Sequence, residues 1–504
     1  MPTRVSTRKA VIIALAAFVL AIPSVADAHA MLKRSLPASG AHLGAAPREI
    51  RLDFTEEPEL SVSRIDLRGP DGSVVRLAPL GVATDSRRSI VATIRGALGA
   101  GTYTVTWLVA GTDGHASRGR FVFTIAPGAA DVAATGGEAG ASASAPGQAQ
   151  PPASHHNAVS MPEGEGFGAD SAAYVAIRWL LYTGLFIVIG AVAFRYAVLG
   201  VLARREQHLE GRKAHAESSM LTSARDRAAV LGLWATATVA AAAVLRLIAQ
   251  SYAMHGSEDA WNATFVSTMV ARTVWGWGWL LQAAGVAVAA TGFSIARRGA
   301  RSGWAVAALG ALILALTPAL SGHAASAPRF TPFAVLADWL HVIGAGGWLG
   351  SLLMLLVVGI PAALRLEEAA RGRAVADFVN AFSPTALVFA GLAASTGVFA
   401  AWLHLGTIPA LWQTAYGRTL LVKLGVLSLV AGTGAYNWLR VKPSLGDIEG
   451  AVRIRRSATV ELAVGVLVLV VTAVLVAKPT AVDVAAMTTT AATSSAHQTS
   501  ELTR

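Results

Sequence analysis

The chain has 504 residues, 54% hydrophobic and 14% charged, with a mean hydropathy of +0.53. That excess of apolar residues excludes an ordinary soluble globular protein and points to an integral membrane protein. The net charge of +11 invites a nucleic-acid reading, but most basic residues sit in short segments between apolar spans, where they specify topology. The absence of cysteine excludes disulfides, thiolate zinc sites and thiolate copper sites.

Residues 1–28 carry a basic start (Arg4, Arg8, Lys9), an apolar run over 11–21, then Pro23 and the small-x-small triplet Ala26-Asp27-Ala28. This pattern predicts a secretory signal peptide, and the apolar run is short for a full membrane span. Cleavage after Ala28 makes His29 the first residue of the mature protein. Residues 29–126 predict an all-β sandwich of Greek-key, immunoglobulin-like type. Ile50, Leu52 and Phe54 alternate with charged residues, Pro70-Asp71-Gly72 marks a turn, and further strand-like runs follow at similar spacing. Residues 127–170 are rich in Ala, Gly, Ser and Pro, the composition of a flexible linker.

Residues 171–480 predict an all-α membrane domain of eight transmembrane helices, approximately 173–202, 228–250, 274–296, 303–322, 333–357, 380–403, 419–440 and 458–477. The segment 262–272 reads as a short interfacial helix, and 481–504 as a disordered tail. If the β-domain is exported, the first span runs inward. The inner connections then hold Arg204, Arg205, Arg212, Lys213, Arg225, Arg227, Arg297, Arg298, Arg301, Arg365, Arg371, Arg373, Arg440, Lys442, Arg453, Arg455 and Arg456, against Arg329 and Arg418 outside. This asymmetry agrees with the orientation set by the signal peptide.

On that topology His255, His323, His341 and His404 all fall in the outer half of the membrane domain. Asp338 and His341, three residues apart, share a helix face, and ionisable groups inside a span usually face a partner or a water-filled path. They mark a candidate metal path with His323, His404 and His255. The alternative is that His323 and His404 cap helix ends and Asp338 accepts a buried hydrogen bond. Met254 and Met269 offer thioethers or simple packing. Arg178, Arg246, Lys423 and Glu461 read as snorkelling or paired charges.

The stretch "GTDGHAS" over 111–117 holds Asp113 and His115. In extended chain, residues i and i+2 point the same way. An N-terminal His29 offers both its α-amine and its ring nitrogen to one metal. Nitrogen ligands plus one carboxylate oxygen suit Cu(II). Taken alone, Asp113 and His115 are also consistent with a surface turn.

The segments "HAMLKRSLPASGAHLGAAPREIRLDFTE" and "GTYTVTWLVAGTDGHASRG" resemble CopC, a periplasmic copper-binding family. The resemblance implies His29, Asp113 and His115 as Cu(II) ligands. The methionine-rich segment of some members is missing, Met31 being the one methionine in the domain, and Ala116 stands where proline is usual. The eight-span half, through "LADWLHVIGAGGWLGSLL" and the outer histidines, is similar to CopD, the inner-membrane partner. Together they imply copper binding in the periplasm and copper passage across the inner membrane, with copper ions and the lipid bilayer as partners and no nucleic acid. No Walker motif is present, and the reading is of a transporter and not an enzyme. Two alternatives stand beside it. One is a haem-b or metal redox protein reducing Cu(II) at the outer face. The other is an oxidative copper enzyme centred on the N-terminal histidine.

Overall fold

The computed structural model describes residues 32–127 except 56 and 112–115, then residues 171–206, 212–320, 331–436, 439, 448–478, 480–482 and 485. The leader 1–28, nearly all of the linker 127–170 and most of the tail 481–504 lie outside these residues. Two compact units result, one holding the strands together with Ser251–Thr273 and the other holding the remaining helical chain.

Among the described residues, the first unit contains nine strands: β1 (Leu32–Leu36), β2 (His42–Leu43), β3 (Glu49–Phe54), β4 (Arg64–Arg68), β5 (Val74–Val75), β6 (Gly81–Ala83), β7 (Ser86–Thr93), β8 (Gly101–Ala110) and β9 (Ala116–Ile125). They form a four-stranded sheet in the order β1-β3-β7-β6 and a five-stranded sheet in the order β2-β9-β8-β4-β5, so the chain passes repeatedly between the two layers. The period-two alternation sets the register. Ile50, Leu52 and Phe54 from one sheet and Tyr103, Val105, Trp107, Phe121 and Phe123 from the other point inward into one apolar cluster. Tyr103 stacks on Phe123 at 5.4 Å across the β8–β9 ladder, adding a cross-strand aromatic pair to the area buried.

The predicted turn at Pro70-Asp71-Gly72 joins β4 to β5. Gly72 has φ of 80°, a region open to glycine at little cost, and its N–H donates to the Gly69 carbonyl at 3.0 Å. The Asp71 carboxylate accepts from the Ser73 backbone and hydroxyl at 3.0 and 2.7 Å. These bonds hold the carboxyl below its ordinary range.

The same unit includes a ten-residue helix, Ala263–Arg272, capped by the Asn262 side chain, which accepts from the Thr264 N–H. This is the short helix expected over 262–272. It lies against the turn Leu60–Val62 of the β-domain, and Arg118 of β9 donates to the Ala253 carbonyl at 2.8 Å. The connection between the second and third spans thus belongs to the β-unit, which hydropathy alone does not reveal.

Among the described residues, eight helices are long and apolar enough to cross a membrane; they belong to the second unit, except that the second of them runs on past Gln250 into the first. With the short helix numbered α3, these are α1 (Ala172–Arg205), α2 (Ser218–Asp259), α4 (Val274–Arg297), α5 (Ser302–Leu320), α6 (Thr331–Ala363), α7 (Glu368–Leu405), α8 (Ala415–Tyr436) and α9 (Arg456–Leu475). Several outrun the expected spans, because helix continues past the apolar window into charged turns. Helix α2 kinks at Gly256, whose φ is 77°. Helix α6 incorporates two π turns, Gly346–Gly350 and Leu355–Gly359. Glycine permits the closest approach in the bundle, where a Cβ on Gly350 would collide with the backbone of Phe186 and Gly190 on α1.

Candidate functional site

The described strands define one end of the sandwich. Leu32, the first residue of β1, pairs with Phe54 at the end of β3. Four residues on, Pro58 bridges Gly111, and the Glu59 N–H donates to the Ala110 carbonyl at 2.8 Å. Ala110 pairs with Ala116, so residues 111–115 connect β8 to β9. The start of β1, the end of β8 and the start of β9 therefore share one end of the sandwich. Below them, Phe54 meets the edge of Trp107 at 5.4 Å. Trp107 lies opposite Gly119, where a Cβ would stand 2.7 Å from the indole. His29, Asp113 and His115 themselves lie outside the described residues.

In the membrane unit, Asp338 and His341 occupy α6. The His341 Nδ1 stands 2.9 Å from the Ala393 carbonyl and 3.3 Å from the Thr396 hydroxyl, both on α7. A carbonyl can only accept, so Nδ1 carries the proton and the lone pair of the neutral ring resides on Nε2. That is the second-contact arrangement by which proteins orient a metal-ligating imidazole. Gly397 lets α7 approach, since a Cβ there would stand 3.1 Å from His341 Cε1. Lys423 of α8 lies close enough to interact electrostatically with both Asp338 and His341. Two spans therefore contribute a carboxylate, an imidazole and an ammonium to one region, and a third, α7, supplies the carbonyl and hydroxyl that hold the imidazole.

The other histidines keep separate company. His255 Nδ1 stands 3.4 Å from the Ser251 hydroxyl, and its ring stacks on Phe265 at 5.2 Å. The Ser251 proton goes to the Ala260 carbonyl at 2.6 Å, so the hydroxyl accepts from Nδ1–H. Met254 and Met269 are buried. His404 Nδ1 lies 3.1 Å from the Tyr416 hydroxyl, and His323 is outside the described residues. Among the described residues, no three His, Asp or Glu side chains gather closely enough to hold a metal ion.

The chain matches three family models in order: CopC domain over residues 32–126, Copper resistance protein D-like, N-terminal domain over 169–328, and Copper resistance protein D over 376–475. Copper transport protein CutJ of Bacillus subtilis is 26% identical over 472 residues, covering 93% of this chain and 77% of the relative. Copper resistance protein D of Pseudomonas syringae pv. tomato is 28% identical over 58% of this chain and 93% of its own. Protein YobA of Escherichia coli is 34% identical over 106 residues, 21% of this chain and 85% of its own. The chain belongs to the CopC–CopD copper-resistance family.

Its CopC domain implies copper binding, and its function is copper-related. Within this CopC–CopD fusion, His404 and Lys423 fall in the segment matched as Copper resistance protein D, and Arg246 and His255 in the matched N-terminal domain. Asp338 and His341 lie between the two matches, on α6. Lys423 and Thr396 were beyond sequence reasoning as site partners. Lys423 is far from Asp338 along the chain, and the bond from His341 runs chiefly to a backbone carbonyl, which no residue type announces.

Proposed function

We propose that this CopC–CopD protein captures Cu(II) outside the cytoplasm and passes copper into and across the inner membrane. After removal of residues 1–28, His29 grips the ion through its α-amine and ring nitrogen. Asp113 and His115 complete the shell from the β8–β9 connection. The observation that carries this reading is the shared end of the sandwich: β1 begins three residues after His29, and three extended residues reach at most about 10 Å. The donor set of two imidazoles, an amine and a carboxylate suits Cu(II) in tetragonal geometry.

In the membrane domain, His341 receives the ion through Nε2, with Asp338 supplying compensating negative charge from the same helix. Lys423 sits in the same field, so an arriving cation meets a positive neighbour and must displace or discharge it. His255 at the outer connection and His404 at the end of α7 are secondary stations on this path. Names among the relatives, a copper transport protein and a copper resistance protein D, support the transport reading.

The test is N-terminal sequencing of the mature chain, followed by Cu(II) titration of the full protein with and without an added residue before His29. An N-terminus at His29 and a large loss of affinity on extension are expected. A different N-terminus, or unchanged affinity after extension, overturns the ligand set. A Soret band in the purified protein would instead favour the haem reading.

A further inference from the structure

Three arginines from separate elements converge where α1, α2 and the α4–α5 connection meet. Arg195 lies in a π turn, Phe194–Val198, within α1. Arg225 is on α2, and Arg301 immediately precedes α5. Both Arg225 and Arg301 are close enough to Arg195 to interact electrostatically. The Arg195 guanidinium lies 5.6 Å from the Tyr196 ring centre and 6.0 Å from that of Trp304. Trp304 is itself buried and met edge-on by Phe293 at 5.8 Å. The Nε atoms of Arg195 and Arg225 are both buried, and neither has a hydrogen-bond acceptor. Among the described residues, no carboxylate pairs with any of the three arginines.

Two buried guanidinium N–H groups without acceptors carry a desolvation penalty, and three like charges add repulsion. A π turn commonly marks a functional position, because it re-aims the side chains it holds. What relieves both costs is an anion with several oxygens, and the guanidinium fork matches phosphate in particular. The depth is informative. At a rise of about 1.5 Å per residue from Ala172, Arg195 lies roughly 35 Å along α1. That is past the ~30 Å hydrocarbon layer and at the level of headgroups. Basic recesses between spans at this level suit anionic headgroups.

We propose that Arg195, Arg225 and Arg301 form a binding site for a phosphate oxyanion, supplied by the headgroup of an anionic phospholipid on the basic side of the membrane domain. The aromatic rings of Tyr196 and Trp304 hold Arg195 in place by cation–π contact, and the phosphate accepts from the two Nε–H groups. The bound lipid ties α1, α2 and α5 together at that face.

The test uses the full-length protein, purified in detergent and stripped of lipid. Native mass spectrometry follows retention of phosphatidylglycerol and of phosphatidylcholine, and thermal unfolding follows titration with inorganic phosphate. Phosphatidylglycerol is expected to bind at least about tenfold more tightly than phosphatidylcholine. The Arg195→Gln/Arg225→Gln variant should lose that preference, while Arg365→Gln, at an exposed arginine outside the cluster, should keep it. Arg225→Lys retains charge but lacks Nε and the fork, so its affinity should be intermediate. Arginine-dependent stabilisation by inorganic phosphate without headgroup preference would uphold the phosphate site with the free ion as its source. Equal retention of both lipids with no phosphate effect would overturn the proposal, as would wild-type selectivity in the double variant. If the double variant fails to fold, wild-type selectivity and Arg225→Lys decide between these outcomes.

Discussion

The two units handle charge in opposite ways. In the β-unit, Arg51 pairs with Asp53 and Asp85 at 2.8 and 2.9 Å, and Arg64 with Asp66 at 2.8 Å. Arg64–Asp66 is at the surface and the Arg51 pairs are half-buried with solvent beside them, so water already satisfies much of each group and a pair adds little. In the membrane unit, Arg178 and Arg246 are buried and lie over the rings of Tyr174 and Trp275 at 4.5 and 5.2 Å. Lys423 shares a region with Asp338 and His341. Within a bilayer each such group is kept against a substantial cost. The outer pairs decorate a sandwich whose stability lies in its apolar interior, whereas the internal charges are held by aromatic rings and by one another.

The largest effect should come from the interior of the sandwich. Phe54 is 1% exposed and packs on Trp107, so Phe54→Ala should cost about 3–5 kcal/mol. Denaturant-dependent proteolysis of the β-domain in the full chain measures it. A loss no larger than that from Arg64→Ala would erase the contrast between core and surface.

The membrane side of the contrast is probed by His341→Ala, which should lower cellular copper accumulation at least about tenfold, in line with the loss of an oriented metal-site group. Gly397→Val should act in the same direction by pushing its side chain against the imidazole. Unchanged accumulation in both would remove His341 from the path.

The smallest effect belongs to the surface carboxylates. Hydrogen bonds from Arg51 hold the Asp85 carboxyl below its ordinary value. A depressed folded-state pKa contributes stability that is present above the unfolded value, near pH 4. That stability is lost as pH falls through the lower, folded-state value. Thermal unfolding of the β-domain should therefore weaken slightly on acidification below about pH 4. Asp85→Asn should flatten that part of the profile, and an identical profile would show that the pair contributes nothing.

Local patterns in the sequence carried the outlines well. Alternation at Ile50, Leu52 and Phe54 announces β3, and Pro70-Asp71-Gly72 announces the β4–β5 turn. Hydropathy announces eight spans, because burial and membrane insertion select residue types position by position. The reach of each helix was less legible. Helix α2 is already formed before Ser218 and α6 runs to Ala363, since backbone hydrogen bonding does not stop where the apolar window does. Least legible were contacts between distant residues. The approach of Lys423 to Asp338, the bond from His341 to Ala393 and the gathering of Arg195, Arg225 and Arg301 depend on how helices pack, which has no period in the chain. The proposed copper ligands reverse this order, for His29, Asp113 and His115 are prominent in the sequence but lie outside the described residues.

The position of β1 has a mechanical consequence. It is the outermost strand of its sheet, held on one side by β3 alone, and such an edge strand is where unzipping begins. The β8–β9 connection belongs to the other sheet. An ion held between His29 and that connection would act as a clasp across both layers, closing the edge from which the sandwich opens. Metal at a hundredfold excess over its dissociation constant would add about 2.7 kcal/mol to the folded state. The empty domain would be the one that frays, and loading it with copper would make it durable.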